Sequence, residues 1–166
     1  MKKVAAITLL LAIWIAAIAI AGEGEKAETS WFDMKDCEFC KHLTEPPDLL
    51  DHCTWELHDI DNGVISIGTV EKEYKPLMDK ANAAMMELGE AMQSGKRNPM
   101  EVKLCGHCQA YGALMMMPTV KFVSVKGDAA DVDVITSDDP AGLAAIRNYA
   151  EKTREALADF SMEEMK

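Results

Sequence analysis

Two stretches of the chain repeat apolar residues at the 3.6-residue period of an amphipathic helix. Tyr74, Leu77, Met78, Ala81, Met85, Leu88 and Met92 fall on one side of a helix expected over about 74–94, with Glu and Lys on the other side. Leu143, Ile146, Ala150, Thr153 and Leu157 form the stripe of a second helix, over about 139–158. Ser137 or Asp138 is expected to cap it, with Pro140 in its first turn, where a missing N–H costs nothing. Pro76 stands in the first turn of the earlier helix, and Gly95 with Asn98-Pro99 marks its end.

Other stretches follow a period of two. Residues 54–59 and 64–70 flank Asp61-Asn62-Gly63, where Asn-Gly is expected to supply the positive φ angles of a tight hairpin. Over 119–125, Val120, Phe122 (with Val123) and Val125 alternate with polar residues; Lys126-Gly127-Asp128 turns, and Val132, Val134 and Thr136 alternate again. That is a second hairpin. Short strands are expected at 30–34 and 100–104, each running into a Cys-x-x-Cys pair and a short helix, one stopped by Pro46-Pro47 and the other by Pro118.

Both halves thus read strand, Cys-x-x-Cys, helix, hairpin, helix. Their first cysteines, Cys37 and Cys105, are 68 positions apart, and the hairpin turns about 65, which implies an internal duplication. The expected organisation is a first unit over 31–94, a linker at 95–99, a second unit over 100–158 and a tail at 159–166.

The first residues set the compartment. Lys2 and Lys3 precede an apolar run from Val4 to Ile20, and Ala19-Ile20-Ala21 supplies the small residues of a cleavage site. Residues 1–21 therefore read as a signal peptide, with export to the periplasm or cell envelope and a polar linker over 22–30. An uncleaved anchor is the alternative, and it would be the chain's one membrane contact.

With 166 residues and 49% apolar composition the chain can bury a core. The formal charge is −11; losing Lys2 and Lys3 takes the basic count from 17 to 15 against 28 acidic residues, and the charge to −13. Such a surface repels nucleic acid and anionic lipid, and attracts cations.

Five cysteines in an exported chain leave at least one unpaired. Cys37, Cys40, Cys105 and Cys108 form the two pairs, and Cys53 stands alone. A disulfide within Cys-x-x-Cys closes too short a loop to be a strong staple. Thiolates at a helix start are acidified by its unpaired N–H groups and select soft ions. These four residues are the candidate ligands: two would suit Cu(I), and all four a tetrahedral Zn(II). The corresponding role is metal capture, storage or delivery, with a metal-accepting protein as a possible partner and no catalytic residues. A thiol–disulfide oxidoreductase and a disulfide-stabilised interaction module are the alternatives.

His42, His52, His58 and His107 read as surface or satisfied core histidines. The spacing of Met78, Met85 and Met92 reads as core packing, whereas at least one of Met115, Met116 and Met117 must point away from a helix's buried side. No acid–base carboxylate pair stands out, and there is no Gly-rich phosphate loop, serine elbow or His-Glu-x-x-His.

The order strand, Cys-x-x-Cys, helix, hairpin, helix resembles the heavy-metal-associated domain of copper chaperones and metal-pumping ATPases. The resemblance covers 100–153 best and 31–92 more weakly. It implies an α+β chain of two ferredoxin-like βαββα units packed together, each presenting its cysteine pair to a soft metal. That family keeps Met two positions before its first Cys; Lys35 and Lys103 stand there in this sequence. Cys105-Gly106-His107-Cys108 is also similar to the active-site tetrapeptide of protein disulfide isomerases, and Met117-Pro118-Thr119 to the proline loop of thioredoxin-like proteins. Here Pro118 follows Cys108 by only ten residues, too few for that fold's intervening helix and strand.

Overall fold

A computed structural model describes residues 30–163. The expected leader at 1–21, and all of the linker before Ser30, lie outside them. The elements in order are α1 (Lys41–Thr44), β1 (Cys53–Ile60), β2 (Gly63–Val70), α2 (Lys75–Gln93), α3 (Gly106–Met116), β3 (Val120–Lys126), β4 (Ala130–Ser137) and α4 (Pro140–Glu163). Single 3-10 turns occupy Leu50–His52 and Pro99–Glu101.

The class is α+β, with one antiparallel sheet of order β1-β2-β4-β3. Both expected hairpins form, and they join through β2 and β4, where Val64 faces Ile135 and Ser66 faces Asp133. A shift of 67 positions carries Gly63–Val70 onto Ala130–Ser137. It also carries the Gly63–Thr136 pair onto Ala130–Thr69, and Ser66–Asp133 onto itself. The sheet therefore has an approximate two-fold axis at Ser66–Asp133, as a duplicated hairpin would produce.

The strands expected at 30–34 and 100–104 are absent, so neither half is a βαββα unit and the halves share one sheet. The backbone of the first segment is engaged elsewhere: the carbonyls of Ser30 and Trp31 accept the N–H groups of Gly106 and His107 at 3.0 and 2.9 Å. The second is turned by Pro99, with the Asn98 side chain accepting from Met100 N at 3.1 Å.

Gly63 also serves a purpose other than the expected one. Among the described non-glycine residues only Asp48 has a positive φ, and among the glycines only Gly95. Gly63 is required because a Cβ there would collide with the Ile135 carbonyl of β4. The cap of α4 is one residue later than expected: Asp139 Oδ1 accepts from Ala141 N and Gly142 N at 3.0 and 2.9 Å. The helix itself runs to Glu163, beyond the expected 158.

α4 packs across β4, β2 and β1. Its Ile146, Tyr149 and Ala150 meet Leu57, Val64 and Ile135 of the sheet and Leu114 of α3 in the main core, with Trp31 and Phe122 against them. Arg147 and Arg154 reach Asp59 on β1 at 2.7 and 3.3 Å. On the opposite side of the sheet, Ile65, Ile67, Val132 and Val134 form a β-branched surface beside Val123 and Val125, which are 58% and 57% exposed.

Candidate metal centre

Each Cys-x-x-Cys pair is delivered by irregular chain entering a helix. Cys105 immediately precedes α3, whose first N–H groups are taken by the Ser30 and Trp31 carbonyls. Cys37 and Cys40 lie on the turns before α1, where Lys41 N donates to the Cys37 carbonyl at 3.0 Å. The two loops are tied backbone to backbone, Glu38 N donating to the Lys103 carbonyl at 2.9 Å.

Ion pairs reinforce the tie. Lys103 Nζ lies 2.6 Å from Asp36 and 3.9 Å from Asp33, while Arg97 donates to both Glu38 carboxylate oxygens at 2.9 Å. Lys103 holds the Asp36 carboxyl below the usual carboxylate range, and Asp36 in turn raises the Lys103 ammonium.

The result is one cluster of four sulfurs, from Cys37, Cys40, Cys105 and Cys108, all within 4.8 Å of one another. Across the pairs, Cys37 Sγ is 3.6 Å from Cys108 Sγ, Cys40 Sγ is 3.6 Å from Cys105 Sγ, and Cys40 Sγ is 3.5 Å from Cys108 Sγ. A disulfide needs about 2.05 Å, so these are free thiols. Four thiolates about 2.3 Å from a tetrahedral zinc stand about 3.8 Å apart, close to what is found.

Cys37, Cys40 and Cys105 are buried, Cys108 is half-buried, and Met34, Phe39 and Leu104 close over them. Cys105 is pulled well below the usual thiol range by hydrogen bonds from the Cys108 and Cys40 thiols and from the backbone N–H groups of Cys108 and Asp33. Cys40 and Cys108 are pushed up, chiefly by the hydrogen bonds they make with Cys105. Packed this closely, four thiolate charges would repel one another, and a cation at their centre would offset that repulsion.

All four sequence-predicted ligands meet at this site. Cys53 does not: its thiol donates to the Leu49 carbonyl at 3.1 Å, and burial pushes its pKa up. His52 stacks on Tyr74 at 3.7 Å, His58 pairs with Glu56 at 2.9 Å, and His42 lies 3.1 Å from Glu45. His107 points away from the sulfurs to Tyr149 Oη, 2.9 Å from its Nε2. Burial lowers its pKa within a group of rings that includes Trp31, Phe32 and Tyr111. Met115 and Met116, the last residues of α3, are 57% and 84% exposed, whereas Met117 follows the helix and packs against the main core. The clasp residues Asp36, Glu38, Arg97 and Lys103 pair over separations of 59 and 67 positions, and no local pattern announces them.

No protein-family model matches the chain, and no match was found to a curated protein or a solved structure.

Proposed function

We propose that the protein holds one soft metal ion, Zn(II) in preference to Cu(I), through Cys37, Cys40, Cys105 and Cys108 together. The observation that carries this reading is the cluster of four sulfurs, with contacts of 3.5–3.6 Å drawn from both halves of the chain. Four protein thiolates complete zinc's coordination and leave no position for water, which is the pattern of a holding or structural site. Two-coordinate Cu(I) would use only part of the set.

The burial of Cys37, Cys40 and Cys105 supports metal retention over thiol–disulfide exchange, which needs an accessible attacking thiolate. Residues 1–21 support an exported setting, where a bound ion would also shield the thiols from oxidation.

Native mass spectrometry of the reduced protein tests the shared site. The expected result is one ion per chain, lost in both the Cys37→Ser/Cys40→Ser and the Cys105→Ser/Cys108→Ser variants, since each removes half of one ligand set. Retention of an ion by either variant with near wild-type affinity would mean separate sites and would overturn the reading.

A further inference from the structure

The helix-facing side of the sheet changes character along its length. Near α4 it is apolar, with Leu57, Val64 and Ile135, but towards the β3–β4 turn it presents Ser66, Gly68, Asp131 and Asp133. α2 stands over this polar end and encloses a cleft of two lobes, about 260 and 380 Å³. Trp55, Ser66, Met78, Asn82, His107 and Tyr149 line both lobes, so the two adjoin along a shared wall. Its size is that of a small-molecule site.

The lobes differ in chemistry. The inner one has no charged side chain; Leu43, Leu50, Leu57, Met85 and Leu157 are among its walls. The outer one contains Lys75, Lys126, Asp128, Asp131 and Asp133. Both lysines are already engaged, Lys75 by Asp79 at 3.3 Å and Lys126 by Asp131 at 2.9 Å.

Asp133 accepts from the Ser124 hydroxyl and has no cationic partner among the described residues. Tyr111 and Tyr149 flank the same lobe as Asp133, and Trp55 lies across Gly68, where a Cβ would come within 3.2 Å of the indole nitrogen. Burial, and then the Asp133 charge, push the Tyr111 phenol up, as a negative field in the lobe requires.

We propose that this cleft binds a small organic cation with an apolar tail, its ammonium group against Asp133 and the aromatic faces of Trp55 and Tyr111, and its tail in the uncharged inner lobe. No described cation offsets the Asp133 carboxylate, and aromatic walls suit a weakly hydrated ammonium better than they suit a metal ion. The chain's acidic surface draws such a ligand in and turns fatty acids away. The metal centre anchors one wall, because His107 lies between two of its cysteines and Phe32 and Met34 precede a third. The cleft is nonetheless a separate site with separate residues.

Titration of the full chain with octyltrimethylammonium, followed by calorimetry and tryptophan fluorescence, tests this. Saturable one-to-one binding is expected, with octanoate and tetramethylammonium each weaker by about tenfold or more, for want of the charge and of the tail respectively. Asp133→Asn should weaken the octyl ligand by a similar factor, while Val123→Thr, on the opposite side of the sheet, leaves it unchanged. Met85→Trp fills the inner lobe and should reduce the octyl ligand to the affinity of tetramethylammonium, which keeps the test decisive if Asp133→Asn fails to fold. Metal content measured on the same samples separates a fault in the cleft from a fault in the metal centre. Octanoate binding as tightly as the ammonium, no saturable binding, or a folded Asp133→Asn with unchanged affinity would overturn the proposal.

Discussion

Lys103 stands two positions before Cys105, and its ammonium reaches Asp36, one position before Cys37, at 2.6 Å. The pair joins the two cysteine-bearing loops from the outside and is open to solvent, so its expected contribution is small and sensitive to salt. Lys103→Met should speed transfer of the ion to a chelator by about two- to fivefold at low ionic strength, with the difference shrinking as salt is added. Stopped-flow measurement of metal release would check both. A rate that does not respond to this change at any salt would assign the holding of the loops to the Glu38–Lys103 backbone bond and the Arg97–Glu38 pair alone. The residue scale is also where sequence reasoning was right about a position and wrong about its reason. Gly63 is needed in the hairpin, but to admit a carbonyl from β4, a strand that comes about 70 residues later and that no local turn rule can see.

The hairpins and the long helices were legible because their signals are local: a period of two broken by a turn, or an apolar stripe ended by Gly or Pro. What local periodicity does not specify is which side of a strand is covered. Val123 and Val125 alternate as core residues should and are more than half exposed, while Ser66 and Asp133 face the helices. The side was fixed by α4, whose Ile146 is fully buried against the sheet. Ile146→Ala should therefore cost about 2–5 kcal/mol, the range for emptying a tightly packed core position. Val123→Ala should stay within about 0.5 kcal/mol, as exposed positions do. Denaturant unfolding of the two variants distinguishes them, and a larger loss at Val123 would place the covered side of the sheet wrongly. The expected strands at 30–34 and 100–104 failed for a related reason. Their aromatic and apolar composition suits a strand, but the backbone of the first caps α3 and the second is turned by Pro99.

At the scale of the whole molecule, the two halves are joined in the central β2–β4 ladder, in the packing of α4 on β1 and β2, and in the sulfur cluster. The repeated Cys-x-x-Cys spacing made both pairs visible as candidate ligands, yet the sequence left open whether they formed one site or two. That question depends on how the hairpins join, and the pairing of Val64 with Ile135 brings the halves together around a shared centre. A ligand that binds only this folded arrangement stabilises it by mass action, about 4 kcal/mol at a free concentration a thousand times the dissociation constant. Removing the metal should therefore lower the midpoint of thermal unfolding for the whole described unit, since both halves supply ligands.

Zinc-edge X-ray absorption on the metal-loaded, reduced protein tests the shared centre most directly. Four sulfur ligands at about 2.3 Å, with no nitrogen or oxygen in the coordination shell, is the result predicted by a centre built from Cys37, Cys40, Cys105 and Cys108. A shell of two sulfurs completed by nitrogen or oxygen would contradict it, because each cysteine pair would then be holding its own ion.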